Sequence, residues 1–197
     1  FVCLNGDIIS SLDMQAGFDL HSKNGGIGTL ALWEVEDPTR FGIVGLDEKQ
    51  RVTKFKEKPA PEEVFSNLIN AGSYIFEEDI FDYMPIGKHS LERDVFPKLA
   101  EVRQLNGMQF DGYFIDAGTK ESWVNAVSKC IDETRFSEGH TESSSWYANK
   151  SKSISNQLIN NSMIGKEVLI SDSIVTKSTI LGNSKVGDNC EIIRSLV

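Results

Sequence analysis

Apolar residues fall in short blocks between polar turns along most of the chain, and the form of each block predicts its element. Phe1-Val2-Cys3-Leu4 shows no alternation, the pattern of an inner strand of a parallel sheet covered on both faces, and Asn5-Gly6 ends it so that Asp7 stands at the strand's carboxyl end. Ile8 to Phe18 reads as a short helix or turn. Thr29–Val35, closed by Glu36-Asp37-Pro38, reads as a strand, and Phe41–Gly45 with Arg51–Phe55 reads as a hairpin around Asp47-Glu48-Lys49-Gln50. Pro59 has no N–H for a ladder and biases Lys58 to an extended conformation, which would send Glu57 and Lys58 to opposite faces. A short helix is expected over Ala60–Ser66, and Leu68–Phe76 is a strand interrupted by small residues, where Gly72 marks a close backbone approach.

Helical spacing returns after that strand. Glu77–Met84 is expected to be a short helix. Ser90 caps a second one carrying Leu91, Val95, Phe96 and Leu99, with a kink at Pro97. Phe110–Ile115 reads as a strand followed by Asp116-Ala117-Gly118, the same strand–acid–glycine order as the opening. Thr119 caps a helix whose buried face is expected to hold Trp123, Val127, Cys130, Ile131 and Thr134. Gly139–Ser155, rich in Ser, Asn and Lys, reads as an exposed linker. Beyond it Val168, Ile174, Ile180, Val186 and Ile192 recur at every sixth position, a period that fits the flat sides of a β-helix completing a coil between Val168 and Val186.

Charge and cysteine content narrow the function classes. A net charge of −9 and a pI near 4.9 leave no basic face for a nucleic acid or an anionic membrane. Cys3, Cys130 and Cys190 lie far apart in apolar surroundings, as packed, reduced thiols of a cytosolic protein do, and no Cys/His spacing suggests zinc. His21, His89 and His140 stand among polar residues and are expected to be solvated, with no nucleophile beside them. The glycines of Asn24-Gly25-Gly26-Ile27-Gly28 lead into a strand and lack a following Gly-Lys-Ser/Thr, so a phosphate loop is rejected. Residue 1 already lies inside an apparent core strand and Ser195-Leu196-Val197 stops within an apolar pattern, so the chain reads as a segment of a longer one.

Leu4-Asn5-Gly6-Asp7, Phe41-Gly42, Glu57-Lys58-Pro59, Asn70-Ala71-Gly72, Asp116-Ala117-Gly118 and a hexapeptide-repeat tail, in this order, resemble the sugar-1-phosphate nucleotidylyltransferases, the mannose-1-phosphate guanylyltransferases in particular. The resemblance implies an α/β fold, a Rossmann-like nucleotidyltransferase domain over residues 1–137, a linker over 138–157 and the start of a left-handed β-helix over 158–197. It implies that Asp7 and Asp116 hold Mg²⁺ and that Lys58 meets the sugar phosphate. Glu57, Gly42, Asn70 and Gly72 would line the sugar, and Gly6 would approach the nucleotide by its backbone. The family's glycine-rich triphosphate loop has no counterpart in this sequence, which makes the nucleotidyltransferase domain N-terminally incomplete and the chain the acceptor half of an enzyme. The implied partners are a nucleoside triphosphate, a sugar 1-phosphate and a second copy of the chain against the β-helix. Transfer to glucose 1-phosphate with another base, and a non-catalytic regulatory subunit of the same plan, are the alternatives.

Overall fold

In the computed structural model, which describes residues 1–153 and 158–197, the chain runs through β1 (Val2–Leu4), β2 (Ile8–Ser10), α1 (Met14–Asn24), β3 (Gly28–Glu34), β4 (Gly42–Leu46), β5 (Val52–Glu57) and β6 (Leu68–Phe76). Then follow α2 (Phe96–Glu101), β7 (Leu105–Gln109) and β8 (Phe114–Asp116). The chain divides into two units, Phe1–Phe114 and Ile115–Val197.

The first unit is built on one mixed sheet in the order β5-β4-β6-β3-β7, with β1 added to β6. Neighbouring residues of β6 show how the faces are covered. Tyr74 and Phe76 pack on Phe96 of α2, with centroids 5.4 and 6.1 Å away, while Ile75 faces α1 on the other side. A Cβ at Gly17 would stand 3.1 Å from Ile75 Cδ1, so the missing side chain lets α1 lie close to the sheet. The core joins Leu30, Leu32, Val44, Phe55, Tyr74, Phe76, Ile80, Phe96 and Leu99, all buried.

The structure departs from several sequence expectations. Strand β1 is not an inner parallel strand: it pairs antiparallel with β6 through Val2–Ile75, Cys3–Tyr74 and Leu4–Ser73, and Val2 and Leu4 are exposed. A run of apolar residues reports low polarity and cannot by itself report which neighbours cover it. His21 is on α1 and buried, its Nδ1 2.8 Å from Thr29 Oγ1 and its Nε2 3.1 Å from Glu77 Oε1, because two polar partners satisfy the ring. The strand expected over Phe110–Ile115 is replaced by β7 and the shorter β8, with Ser11 Oγ accepting from Tyr113 N and donating to Asp111 O between them. Gly25 and Gly26 close the carboxyl end of α1, where Arg51 donates to the carbonyls of Asn24 and Gly25, so this loop presents oxygens and matches the rejection of a phosphate loop.

The second unit contains α3 (Lys120–Asp132), β9 (Gly139–Glu142), β10 (Ser145–Ala148), β11 (Lys152–Ser153), β12 (Leu158–Asn160), β13 (Met163–Ile164), β14 (Leu169–Ile170), β15 (Ile174–Thr176), β16 (Thr179–Ile180), β17 (Lys185–Val186) and β18 (Glu191–Ile193). Within the stretch read as a linker, β9 and β10 form a hairpin through Ser143 and Ser144, both at positive φ; residues 154–157 lie outside the described ones. Three parallel ladders follow: β10-β13-β16, β11-β14-β17 and β12-β15-β18. Their register pairs Trp146 with Met163 and Met163 with Thr179, Leu169 with Lys185, and Leu158 with Ile174 and Ile174 with Glu191, so each circuit takes 16 or 17 residues rather than eighteen.

Inside the circuits Ile159, Ile164, Ile170, Val175, Ile180 and Val186 are buried. The sixfold expectation fails at Ile174, which is 41% exposed while Val175 is fully buried, because the side ending there is one residue shorter. Serines tie the circuits together at one corner: Ser162 N donates to Ser145 Oγ, Ser178 N to Ser162 Oγ and Ser195 N to Ser178 Oγ, each at 3.1 Å. Helix α3 belongs to this unit, with Val127 and Ile131 packed on Trp146. Trp123, expected in the core, is exposed because Val124 and Ala126 take the inward positions beside Val127. Cys130 is buried as expected, whereas Cys190 is exposed. Among the described residues no helix is long and apolar enough to cross a membrane.

Candidate active site

Strand β6 is paired along one edge with β3, and its other edge is shared between two strands that do not meet. Strand β4 takes the lower part through Ile43–Ile69 and β1 the upper part from Leu4–Ser73, which leaves a notch at Asn70-Ala71-Gly72. The strand bulges there, since Leu30 opposes Tyr74 whereas Leu32 opposes Asn70. Gly72 takes φ +68°, and its carbonyl accepts from Asn5 N at 2.8 Å. A Cβ on Gly72 would lie 2.6 Å from Asn5 Nδ2, so glycine admits both the backbone turn and the close approach of Asn5. Gly6 and Asp7 leave the sheet from this point, both exposed, and a Cβ at Gly6 would meet nothing within 4 Å.

Asn70 braces the bulge from within. Its Oδ1 accepts from Gly72 N at 3.2 Å and its Nδ2 donates to Tyr74 Oη at 2.9 Å. Tyr74 is buried, and burial together with the nearby Glu92, Cys3 and Glu57 pushes its hydroxyl above its ordinary range against the opposing effect of the Asn70 bond; it therefore keeps its proton.

The hairpin β4–β5 supplies the other wall. Gly42 pairs with Glu57, and a Cβ on Gly42 would lie 2.9 Å from Glu57 Oε2 and 2.6 Å from Phe55 Cζ, so the Glu57 carboxylate lies over the bare glycine. Glu57 is half-buried, and burial, reinforced by Glu92, raises its pKa while Lys58 and Arg93 oppose the rise. Lys58 departs from the extended conformation that Pro59 should impose: it takes φ +46°, with its N donating to Phe41 O at 2.9 Å. One more main-chain bond thus joins the hairpin at the cost of an uncommon conformation. Lys58 is exposed and has no ion-pair partner among the described residues.

Six of the residues singled out from sequence, Gly6, Asp7, Gly42, Glu57, Asn70 and Gly72, therefore belong to strand ends and a bulge of one sheet, with Lys58 directly after β5. Asp116 ends β8 in the second unit, where its Oδ1 accepts from Gly118 N at 2.9 Å before Thr119 caps α3. Sequence reasoning missed Tyr74 and Glu92. Tyr74 sits four residues after Asn70 and reads simply as core, and only the bulge brings its hydroxyl to the Asn70 amide. Nothing in the sequence marks Glu92. Among the described residues no group of three or more His, Cys, Asp or Glu side chains suited to a metal ion occurs.

Residues 1–133 match the family profile described as "Nucleotidyl transferase". Over 135 residues the chain is 31% identical to the mannose-1-phosphate guanylyltransferase catalytic subunit beta of Drosophila melanogaster, a match covering 68% of this chain and 36% of that protein. It is likewise 31% identical over 144 residues to the mannose-1-phosphate guanyltransferase of Candida albicans, covering 72% of this chain and 39% of the relative. The chain thus spans little more than a third of the curated relatives it matches. A Bacillus anthracis crystal structure described as a glucose-1-phosphate thymidylyltransferase in complex with a sucrose aligns at TM-score 0.55 and 25% identity, over 64% of this chain and 52% of that one.

Proposed function

The chain belongs to the nucleotidyl transferase family, and from that premise we propose that it carries the acceptor side of a sugar-1-phosphate nucleotidylyltransferase, joining GTP to mannose 1-phosphate with release of pyrophosphate. The observation that carries this reading is the notch on β6. Beside it stand Gly42 with the Glu57 carboxylate over it, the Asn70 amide bonded to Tyr74 and, directly after β5, a lysine with no ion-pair partner among the described residues, a set suited to a ligand that is anionic at one end and polyhydroxylated at the other.

In this reading Lys58 meets the phosphate of the acceptor, and the backbone turn that presents it is held by Phe41 O. Glu57 and Asn70 meet ring hydroxyls, Gly42 and Gly72 shape the main chain beside the ring, with Glu57 lying against the one and Asn5 against the other, and Gly6 leaves open space for the nucleotide. Asp7 and Asp116 present hard oxygen donors of the kind Mg²⁺ takes, one or two carboxylates with water and phosphate completing the shell. Asp116 has one oxygen engaged by Gly118 N. When bound, the ion would neutralise phosphate charge during an in-line displacement. The reaction needs alignment of two anions and little proton transfer, so its demands are on groups that orient and neutralise charge.

Glucose 1-phosphate with another nucleotide is the second reading, favoured by the structural similarity to the Bacillus anthracis protein. For the second unit we propose the start of a left-handed β-helix of hexapeptide repeats, supported by its three parallel ladders, and assembly with a further copy of the chain through it.

Calorimetric titration with mannose 1-phosphate and Mg²⁺, with glucose 1-phosphate as the competitor, tests the reading. Wild-type binding that falls at least about tenfold in Lys58→Ala supports it, since a charge-assisted phosphate contact is worth that much or more. Equal affinity in wild type and variant would remove Lys58 from the acceptor site, and preference for glucose 1-phosphate would select the second reading.

A further inference from the structure

The circuits of the second unit stack one set of corner residues in register. Ser144, Asn161, Lys177 and Arg194 follow one another a circuit apart, each at positive φ and each directly before one of the serines that tie the circuits together. They form a column in which neighbours stand about 4.8 Å apart, the spacing of paired strands. Helix α3 lies along it. Glu121 Oε1 accepts from Arg194 Nη2 at 3.0 Å at the last circuit, while Ile131 packs on Trp146 of β10, the strand from which the parallel pairing of its ladder starts.

Between the helix and the column is a cavity of about 280 Å³. Asn125, Ser128 and Asp132, spaced by three and four residues on one flank of α3, face it from one side, and Asn161, Lys177 and Arg194 face it from the other. Its apolar part comes from Val124 and Ile131, both buried.

The polar groups of both walls are available to a ligand. Lys177 has no ion-pair partner among the described residues, and Arg194, steadied by Glu121, keeps the other donors of its guanidinium fork. Asn125, Ser128, Asp132 and Asn161 make no side-chain hydrogen bond to another described residue. Asp132 does not cancel the cations: it stands roughly 16 Å along α3 from Glu121 at 1.5 Å per residue, and no ion pair joins it to Lys177. The cavity is therefore cationic towards Arg194 and rich in hydrogen-bond acceptors towards Asp132. Its size lies near the lower end of small-molecule sites, roughly 300 Å³, which favours a hexose phosphate over a larger nucleotide.

We propose that this cavity is a second small-molecule site of the chain and takes a phosphorylated sugar, with the phosphate on Lys177 and Arg194 and the hydroxyls on Asp132, Asn125 and Ser128. None of the residues assigned to the acceptor reading lines it, and the inference stands without that reading. A ligand there bridges α3 and the circuits, so it stabilises the second unit by mass action.

Amide NMR and calorimetric titrations of the chain with mannose 6-phosphate test the site, with inorganic phosphate and mannose as comparison probes. Shifts are expected at the amides of Ser128, Asn161 and Lys177, with both comparison probes binding more weakly. Affinity for mannose 6-phosphate is expected to fall about tenfold in Lys177→Asn; asparagine accepts the φ of +48° at this corner, so the fold is kept. Asp132→Asn is expected to weaken mannose 6-phosphate and leave inorganic phosphate unchanged, and Lys58→Ala to leave the shifts in place. Should Lys177→Asn fail to fold, Arg194→Lys, which keeps the charge and loses the fork, carries the same comparison. A folded wild type showing none of these shifts at millimolar mannose 6-phosphate overturns the proposal. Shifts that vanish in Lys58→Ala and persist in Lys177→Asn overturn it by placing the ligand at the acceptor notch. Inorganic phosphate binding as tightly as mannose 6-phosphate, or an Asp132→Asn without effect, overturns the assignment of a sugar to the α3 wall and the proposal with it.

Discussion

Glu57 shows how one side chain can be tuned by its surroundings. Burial and Glu92 hold its carboxyl above the ordinary 4.5, so the folded state binds the proton more tightly than the unfolded chain does. Stability is then greatest below the ordinary value and is lost as pH rises through the raised one. Glu57→Gln should therefore melt above wild type at pH 8, and the two should converge near pH 4; thermal melts across that range check it. The close backbone approach expected at Gly72 was legible in the chain, and Asn5 lies against that glycine. Lys58 was not legible, because the preference imposed by Pro59 is a local bias and a long-range bond to Phe41 O outweighs it. His21 was hidden for a related reason, since its partners Thr29 and Glu77 come from different parts of the chain.

Elements were readable where residue type and packing agree. Strands β3 to β6 carry β-branched and aromatic residues and emerged close to their expected bounds. Strand β7, Leu-Asn-Gly-Met-Gln, has neither, and it exists because it pairs with β3 and because Asn106 finds the carbonyl of Gly25 with its amide. The period of six in the second unit pointed to repeated circuits but assigned Ile174 inward in place of Val175. The serines at 145, 162, 178 and 195 repeat the true spacing and were the better signal. Ile180→Ala should cost about 2–5 kcal/mol, as for other buried isoleucines. Ile174→Ala, at an exposed position, should stay within about 0.5 kcal/mol. Denaturant midpoints of the two variants decide the register, and equal losses would restore the strict sixfold pattern.

At the scale of the whole molecule, the two units draw on opposite kinds of pairing. In the second, the strands of the three ladders each meet the one a single circuit ahead, 16 or 17 residues away. In the first, Val2 must find Ile75 and Gly28 must find Leu105 before the sheet exists. Closing short loops loses less chain entropy than closing long ones, so local ladders assemble sooner. Pulse-labelled hydrogen exchange during refolding should therefore protect the amides of Met163 and Gly165, which bond to Ser178 and Ile180, before that of Asn5, which bonds to Gly72. Simultaneous protection would mean that the sheet nucleates through contacts other than its strand pairs. In the expected order, the serine-tied circuits are a folding nucleus in their own right, present as ordered chain while the residues around the notch are still searching for one another.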